Sequence, residues 1–297
     1  MVTVGLPEAL FHYQHGSLWE EFLRCSGCGV VRSGETNREI LDKGIKCCTG
    51  DACLPVKAFH GHVESLAKVS DYVFVPRYTS LYKGEFTCPK FCALPEMTEM
   101  NLKRHVKLIS IDIHKDSSHE VTYESIRLLA QKTGICEKTL KEAYDSTFEK
   151  KYSIRPEKKQ ENVSARFHIA VLGHPYMIND SYLSMKLVSK LSKRGIGVYT
   201  TESISREERR KNAYPYKGRV FWEIGLDNLG SASYFSRNKN VRGIIYLTPF
   251  ACGIDSFVIE FIERNLKNMP FLKLTVDEHS GEAGFDTRLE AFLDMMG

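Results

Sequence analysis

Nine cysteines in a chain of 297 residues are the feature of this sequence with the clearest chemical potential. An odd number cannot pair completely within one chain, and the opening residues lack a secretory signal pattern, so we expect reduced thiols rather than disulfides. Cys53, Cys88 and Cys252 lie in loops close to proline or glycine, at predicted strand-to-helix transitions. Thiolates are the soft anionic ligands that iron–sulfur clusters require. The sequence therefore predicts a cluster held by cysteines from distant parts of the chain.

Further cysteines close to these positions leave the type of cluster open. Cys48 precedes Cys53 by five residues, with Cys47 beside it, and Cys92 follows Cys88 by four. Three ligands would leave one iron of a 4Fe–4S cluster open to an exogenous ligand. The additional thiols would complete a fourth position or form part of a larger cluster. A single 4Fe–4S cluster with an open iron is our first interpretation.

The remaining cysteines have simpler interpretations. We expect Cys28 and Cys136 to be small buried hydrophobic residues, the usual environment of free cysteine. Cys25 and Cys28 form a CxxC pair. A zinc site there is weakly supported, because no second pair follows at zinc-ligand spacing.

Charged and aromatic side chains near the predicted ligands suggest supporting roles. Lys57 and His60 share one face of the helix after Cys53 and are the candidate catalytic residues. Lys57 would supply positive charge, and His60 would bond a sulfide or move a proton. His62 is more simply a packed helix histidine. His174 follows an apolar strand just before a helix start, which suits either an anionic cofactor or ordinary helix capping.

The elements that position these residues alternate between strand and helix, which predicts an α/β fold with open, mostly parallel sheets. The first half contains predicted strands at its start, near Val30, at 72–75 and at 106–111, collected in one sheet. Thr36 is the predicted cap of the second helix, and Gly44 its predicted end. A polar, proline-containing break divides the chain into an N-terminal domain, 1–155, and a C-terminal domain, 156–297.

Composition excludes several functional classes. The net charge of +4 is dispersed, so nucleic-acid binding is not expected. No apolar run reaches the roughly 18 residues needed to span a bilayer, and we expect a cytoplasmic protein that does not bind membranes. The sequence has no GxxxxGK[ST] phosphate-binding loop.

Motifs spanning nearly the whole chain carry a resemblance to a known family. They are GLPEAL, ACLPVKAFHGHV, CPKFCALPE, VLGHPYMIND, FACGIDSF and DEHSGEAGFDTRLEAFLDM. The chain resembles the acyl-CoA dehydratase activase-related proteins, relatives of the iron–sulfur subunits of 2-hydroxyacyl-CoA dehydratases and benzoyl-CoA reductases. The resemblance implies two Rossmann-like or flavodoxin-like domains with a cluster in the cleft between them. The family's cysteine motifs fall on Cys53, Cys88 and Cys252, and Glu278 falls in a late loop expected to line the cofactor site.

The resemblance also implies an activity. A low-potential electron from an ATP-hydrolysing activase would reach an oxygen-sensitive cluster, which would reduce a small substrate such as an acyl-CoA thioester at an open iron. The additional cysteines at 47, 48 and 92 keep a double-cubane cluster as an alternative. A homodimer is a family-level expectation. Two other functions stay open: an electron-transfer or cluster-carrier protein without its own substrate, and a zinc-stabilised structural protein.

Overall fold

The computed structural model of the chain describes residues 1–102, 106–114, 120–149, 165, 167–266 and 268–296. The chain divides into two compact units, Met1–Pro156 and Glu157–Gly297, called here the first and the second unit. The predicted boundary between residues 155 and 156 lies outside the described residues. None of the described helices is long and apolar enough to cross a bilayer.

The first unit contains seven strands and seven α-helices among its described residues. The strands are β1 (Thr3–Leu6), β2 (Gly29–Arg32), β3 (Tyr72–Phe74), β4 (Arg77–Tyr82), β5 (Glu85–Phe86), β6 (Leu108–Ile109) and β7 (Asp112–His114). The helices are α1 (His12–Cys25), α2 (Arg38–Cys47), α3 (Leu54–Leu66), α4 (Pro89–Cys92), α5 (Leu94–Asn101), α6 (Glu120–Thr133) and α7 (Glu137–Tyr144). A π-helical turn, Asp145–Glu149, follows α7.

Two sheets organise the first unit, where the sequence predicted one. The main sheet has the order β2-β1-β3-β6 and is entirely parallel. A smaller sheet, ordered β5-β4-β7, combines an antiparallel hairpin with a parallel pair. The predicted strand 106–111 is shorter than expected, because the chain leaves the main sheet after Ile109 and joins the smaller sheet at Asp112.

The α2–α3 pair is a closely packed helical hairpin whose details correct two predictions. Asn37, not Thr36, caps α2 by accepting a hydrogen bond from the Ile40 N–H at 3.0 Å. The helix also continues past Gly44, the predicted end. A Cβ at Gly44 would lie only 1.8 Å from the backbone oxygen of Lys57, so glycine here serves close helix packing.

The second unit has four described strands and six α-helices. The strands are β8 (His168–Gly173), β9 (Gly197–Tyr199), β10 (Val241–Pro249) and β11 (Phe271–Val276). The helices are α8 (Pro175–Ile178), α9 (Leu187–Lys193), α10 (Arg206–Asn212), α11 (Glu223–Phe235), α12 (Gly253–Asn265) and α13 (Glu282–Asp294). The sheet order is β11-β10-β8-β9, again entirely parallel.

The apolar strands explain why the second sheet forms as predicted. Residues 169–173 of β8 and 243–249 of β10 are buried without interruption, the pattern of parallel strands covered on both faces. The α/β fold with open, mostly parallel sheets is therefore confirmed. The cluster in a cleft between the two units stays a prediction.

Candidate functional site

The strand order of the second unit identifies where a ligand is expected. The chain passes from β8 to β9 on one side and then crosses to β10 and β11 on the other. In open parallel sheets, ligands bind where the order reverses, outside the carboxyl ends of the strands. Here that point lies between β8 and β10. His174 directly follows β8, and Cys252 follows the end of β10 by three residues.

Backbone geometry brings both side chains to this point. Gly173 has φ +134°, and a Cβ there would lie 2.2 Å from the backbone oxygen of Leu247, so only glycine fits between the strands. His174 then precedes α8. In the turn after the neighbouring strand β10, Ala251 takes the left-handed conformation with φ +64°, and Cys252 is the residue just before α12.

His174 contacts two acceptors through one ring nitrogen. Its Nε2 lies 3.4 Å from Cys252 Sγ and 3.1 Å from Asp255 Oδ1. Its Nδ1 lies 2.9 Å from the hydroxyl of Tyr176. One donor atom from each of His174, Cys252 and Asp255 can be chosen so that all three lie within 4.8 Å of one another, a spacing that could hold a metal ion.

Asp255 is the anchor of this group. Its Oδ1 accepts a hydrogen bond from the Tyr246 hydroxyl at 2.8 Å, and its Oδ2 accepts one from Thr248 at 2.7 Å. The side chains of His174 and Asp255 are both 2% exposed. Burial of this depth requires that a charged carboxylate be paired and hydrogen-bonded, and these contacts meet the requirement.

The electrostatics of the pair favour the ionised forms. Burial alone would lower the pKa of His174, but the nearby Asp255 carboxylate and Cys252 outweigh it and raise that pKa well above its usual value. Burial alone would raise the pKa of Asp255, but His174 and the two hydroxyl donors outweigh it and lower that pKa. The group therefore contains a buried imidazolium–carboxylate pair beside a thiol.

Sequence reasoning selected His174 and Cys252 separately and missed their contact, and it did not select Asp255. One signal was available for the contact, since the reversal of strand order places the residues after β8 and β10 together. Asp255 follows Cys252 by three residues, in the first turn of α12. An acidic residue at that position is favourable to any helix, so its type alone indicates no site.

In the first unit, Cys53 and Cys88 lie in adjacent turns. Cys53 is the residue before α3 and Cys88 the residue before α4; each is extended and makes no side-chain capping bond. Lys90 Nζ donates to the backbone oxygen of Asp51 at 3.1 Å, which joins the two turns. Cys53 was expected to follow a strand, but it lies between α2 and α3. The meeting of Cys252 with these two cysteines stays a prediction.

Cys48 and Cys92, the additional predicted ligands, both have contacts within the first unit. Burial, followed by neighbouring Cys47, raises the pKa of Cys48 to about 12. Cys48 packs against a small buried apolar cluster that includes Cys53, which is itself buried. The Cys92 thiol donates to the backbone oxygen of Tyr78 at 3.7 Å. The raised pKa disfavours Cys48 as a ligand, and Cys92 would have to give up its bond to the Tyr78 carbonyl oxygen to bind a metal.

The two residues predicted to be catalytic, Lys57 and His60, have different contacts. Lys57 Nζ donates to the backbone oxygen of Gly50 at 3.2 Å, in the turn that leads to Cys53, and only 4% of the residue is exposed. His60 Nδ1 donates to the Val56 backbone oxygen at 2.9 Å, and its Nε2 accepts from Asn101 at 3.4 Å. Burial lowers the pKa of His60. These features are those of a neutral histidine held within the fold.

His62 has the packed environment that the sequence predicted. Its two ring nitrogens bond the hydroxyls of Ser33 at 2.7 Å and Thr36 at 2.9 Å. Burial, assisted by nearby His12, lowers its pKa to about 4. Thr36, the predicted cap of α2, therefore serves this histidine instead.

Glu278 lies in the turn after β11 and is half-buried. The preceding Asp277 closes this turn by accepting hydrogen bonds from the Ser280 hydroxyl at 2.8 Å and the His279 N–H at 2.9 Å. The role of Glu278 in binding a cofactor stays a prediction.

The two cysteines predicted to be buried packing residues differ in their exposure. Cys28 is buried, as predicted. Cys136 is exposed, so that prediction is wrong: it precedes α7, where the chain turns through solvent. Cys25, at the end of α1, is also exposed. Cys25 and Cys136 are therefore suitable controls for experiments on the other thiols.

Comparison with known proteins identifies the family but no curated relative. A search of curated proteins finds no match to the chain. A family model described as the CoA enzyme activase uncharacterised domain (DUF2229) matches residues 3–204, more than half of the chain. The match includes Cys53, Cys88 and His174 but ends before Cys252 and Asp255. It supports the predicted activase-related family, whereas a relation to dehydratase iron–sulfur subunits stays a prediction. The chain belongs to the family of the CoA enzyme activase uncharacterised domain.

Proposed function

We propose that this chain is an iron–sulfur component of a CoA-enzyme activation system, with Cys53, Cys88 and Cys252 as ligands of a 4Fe–4S cluster. The observation that carries the proposal is the bond from Lys90 Nζ to Asp51 O at 3.1 Å, because it joins the turns of Cys53 and Cys88. Cys252 has the same local arrangement, an extended residue just before a helix.

The chemistry of these residues fits a cluster. Three thiols form an all-sulfur donor set, which favours iron–sulfur clusters over hard cations. A helix begins directly after each of the three cysteines. When bound, such a cluster supplies one-electron transfer at low potential.

Lys57 and Lys90 supply positive charge beside the cysteine turns. Both lysines oppose the effect of burial on the pKa of Cys48, which shows that their charges act at this turn. An anionic group bound there would be stabilised by them. We assign Lys57 this role and leave His60 without a proton-transfer role, because both of its nitrogens are bonded within the fold.

A single cluster is favoured over a double-cubane cluster. The larger cluster needs additional thiolates, and Cys48 and Cys92 are the nearest sources. The pKa of about 12 opposes thiolate formation at Cys48, and the Cys92 thiol is already bonded to a backbone carbonyl oxygen. Three ligands would leave one iron open, which supports reduction of a small substrate such as an acyl-CoA thioester.

Two related functions predict different results. In the first, the chain carries electrons without a substrate, and an added thioester would leave the spectrum of the cluster unchanged. In the second, which the family description favours, the chain is itself the ATP-hydrolysing activase. The β1–α1 turn opposes nucleotide binding there, because it contains the buried Glu8 carboxylate, bonded to Arg32, in place of glycines. ATP hydrolysis by the purified chain would favour the activase.

The test is iron and acid-labile sulfide analysis of the full chain, reconstituted without oxygen. We expect about four irons per chain and a brown colour that oxygen removes. Cys53→Ser, Cys88→Ser and Cys252→Ser should each lose most of the iron. Cys92→Ser and the exposed-thiol controls Cys25→Ser and Cys136→Ser should keep it. Equal iron in all six variants, or none in the wild type, would refute the proposal.

A further inference from the structure

We propose that His174 is a positioning residue for Cys252, whose Nε2–H donates a hydrogen bond to the cysteine sulfur and so favours the reduced state of the bound cluster. This inference rests on the function proposed above. It assigns a specific contact and a specific effect to a side chain that the sequence placed only near a cofactor.

The hydrogen-bond partners determine which nitrogen carries the proton. Nε2 lies within hydrogen-bond distance of Cys252 Sγ, at 3.4 Å, and of Asp255 Oδ1, at 3.1 Å. The Asp255 carboxylate can only accept a hydrogen bond, so Nε2 must be the donor. Nδ1 faces the Tyr176 hydroxyl, which can serve either protonation state of that nitrogen.

The donor is held in place before any ligand binds. The imidazole stacks on the Tyr176 ring with centroids 4.9 Å apart, and Asp255 is itself fixed by Tyr246 and Thr248. Cys252 is half-buried, whereas His174 is 1% exposed. The histidine therefore lies on the inner side of the sulfur and leaves its outer side for a metal.

A hydrogen bond to a ligand sulfur has a predictable effect on a cluster. Reduction adds negative charge to the iron and its sulfur ligands, and a donor stabilises that charge more than it stabilises the oxidised state. A hydrogen bond to a charged group is roughly twice as strong as one between neutral groups, so its loss should change the redox equilibrium measurably. We expect loss of the donor to lower the reduced-to-oxidised ratio at a fixed potential about tenfold, or about 59 mV for one electron.

The experiment is a redox titration of the reconstituted full chain, followed by electron paramagnetic resonance, with iron content measured on the same samples. His174→Leu removes the donor and should show the tenfold decrease. His174→Gln keeps an N–H near the position of Nε2 and should restore most of the wild-type ratio. His168→Gln is the matched control, because His168 begins the same strand and stacks on Tyr199. It should leave the ratio unchanged.

The outcomes separate the inference from the proposed function. A wild-type chain that binds no cluster would overturn both. A loaded His174→Leu chain with the wild-type potential would overturn the inference alone. If His174→Leu fails to fold, His174→Asn takes its place, because the shorter amide stays polar but does not reach the sulfur. The same potential in the Asn and Gln variants would then overturn the inference.

Discussion

In the main sheet of each unit, the first strand lies between the second and the third. The two units differ in the side chains that lie where this strand order reverses. In the first unit this point lies between β1 and β3, and in the second between β8 and β10. The first is filled with apolar and aromatic side chains, among them Phe11, Trp19 and Tyr78, around a small cavity. The second holds the His174–Cys252–Asp255 group. The same topology thus serves packing in one unit and polar chemistry in the other.

The difference follows from the residues just after the strands. After β1 the chain continues with Pro7, Glu8 and a run of apolar residues, and Glu8 is bonded to Arg32. After β8 it continues with Gly173 at positive φ and then His174. The predicted ligands of the first unit, Cys53 and Cys88, lie elsewhere, before α3 and α4. Strand order locates a site, and the turn residues decide what the site can bind.

Removal of Asp255 should produce the largest change in the relative stabilities of the two units. Asp255→Ala leaves the buried His174 imidazole and two buried hydroxyls without their acceptor, and we expect a loss of about 3–5 kcal/mol in the free energy of unfolding of the second unit. Each unit contains one tryptophan, Trp19 or Trp222, so fluorescence of single-tryptophan variants during urea unfolding reports each unit.

The matched control is Asp286→Ala. Asp286 lies at 2.5 Å from Lys190 in a partly exposed ion pair, and its loss should cost no more than about 1 kcal/mol. Equal costs for the two variants would show that Asp255 is not the anchor of the group.

Acid should lower the free energy of unfolding of the first unit by about 3 kcal/mol relative to that of the second unit. The folded pKa of His62 is about 4, below the ordinary value of 6.5, so between these values the unfolded chain binds more protons. The stability from neutral His62 is complete above pH 6.5 and is lost as pH falls towards 4. A shift of this size corresponds to about 3 kcal/mol. Half-buried His12 and buried His60, whose pKa values are also lowered, add to it.

The second unit should not show this loss. The pKa of His174 is raised, so this residue is protonated both folded and unfolded below pH 6.5. Unfolding at pH 4.5 and pH 7, followed through Trp19 and Trp222 separately, tests the contrast. His62→Gln should flatten the pH dependence of the first unit, and an unchanged dependence in that variant would contradict the assignment to His62.

A substitution that disturbs the packing of α2 against α3 should cause the smallest loss of stability. Gly44→Ala places a Cβ 1.8 Å from a backbone oxygen of α3, so α2 and α3 must separate, which should cost about 1–3 kcal/mol. The control is Gly50→Ala in the turn between these helices, where a Cβ meets no atom within 4 Å. A stable Gly44→Ala chain would show that the close helix contact is dispensable for the cysteine turn.

The sequence predicted the elements better than it predicted contacts between them. Apolar runs such as 169–172 and 244–247 identified parallel strands because burial on both faces requires them. The smaller sheet was missed because β5 and β7 have only two and three residues, too short for a periodic pattern. Gly44 was assigned to a helix end because its packing against α3 is not visible in the local sequence.

The site was predicted as separate residues rather than as a constellation. Cysteine and histidine residues were selected where they followed a predicted strand or preceded a predicted helix, which selected His174 and Cys252 but gave no distance between them. Its position on the helix after Cys53 assigned a proton-transfer role to His60, whose nitrogens are bonded to Val56 and Asn101. Residue type indicates which chemistry is available, and only tertiary contacts show which side chains are already occupied.

The most direct test of the central claim is protection of individual cysteines against alkylation, measured by mass spectrometry on the oxygen-free full chain with and without the cluster. The account predicts that Cys53, Cys88 and Cys252 are protected together in the reconstituted chain and react together once iron is chelated. The exposed Cys25 and Cys136 should react equally in both states. Protection of none of the three, or of only one, would contradict the claim that these thiols hold a cluster.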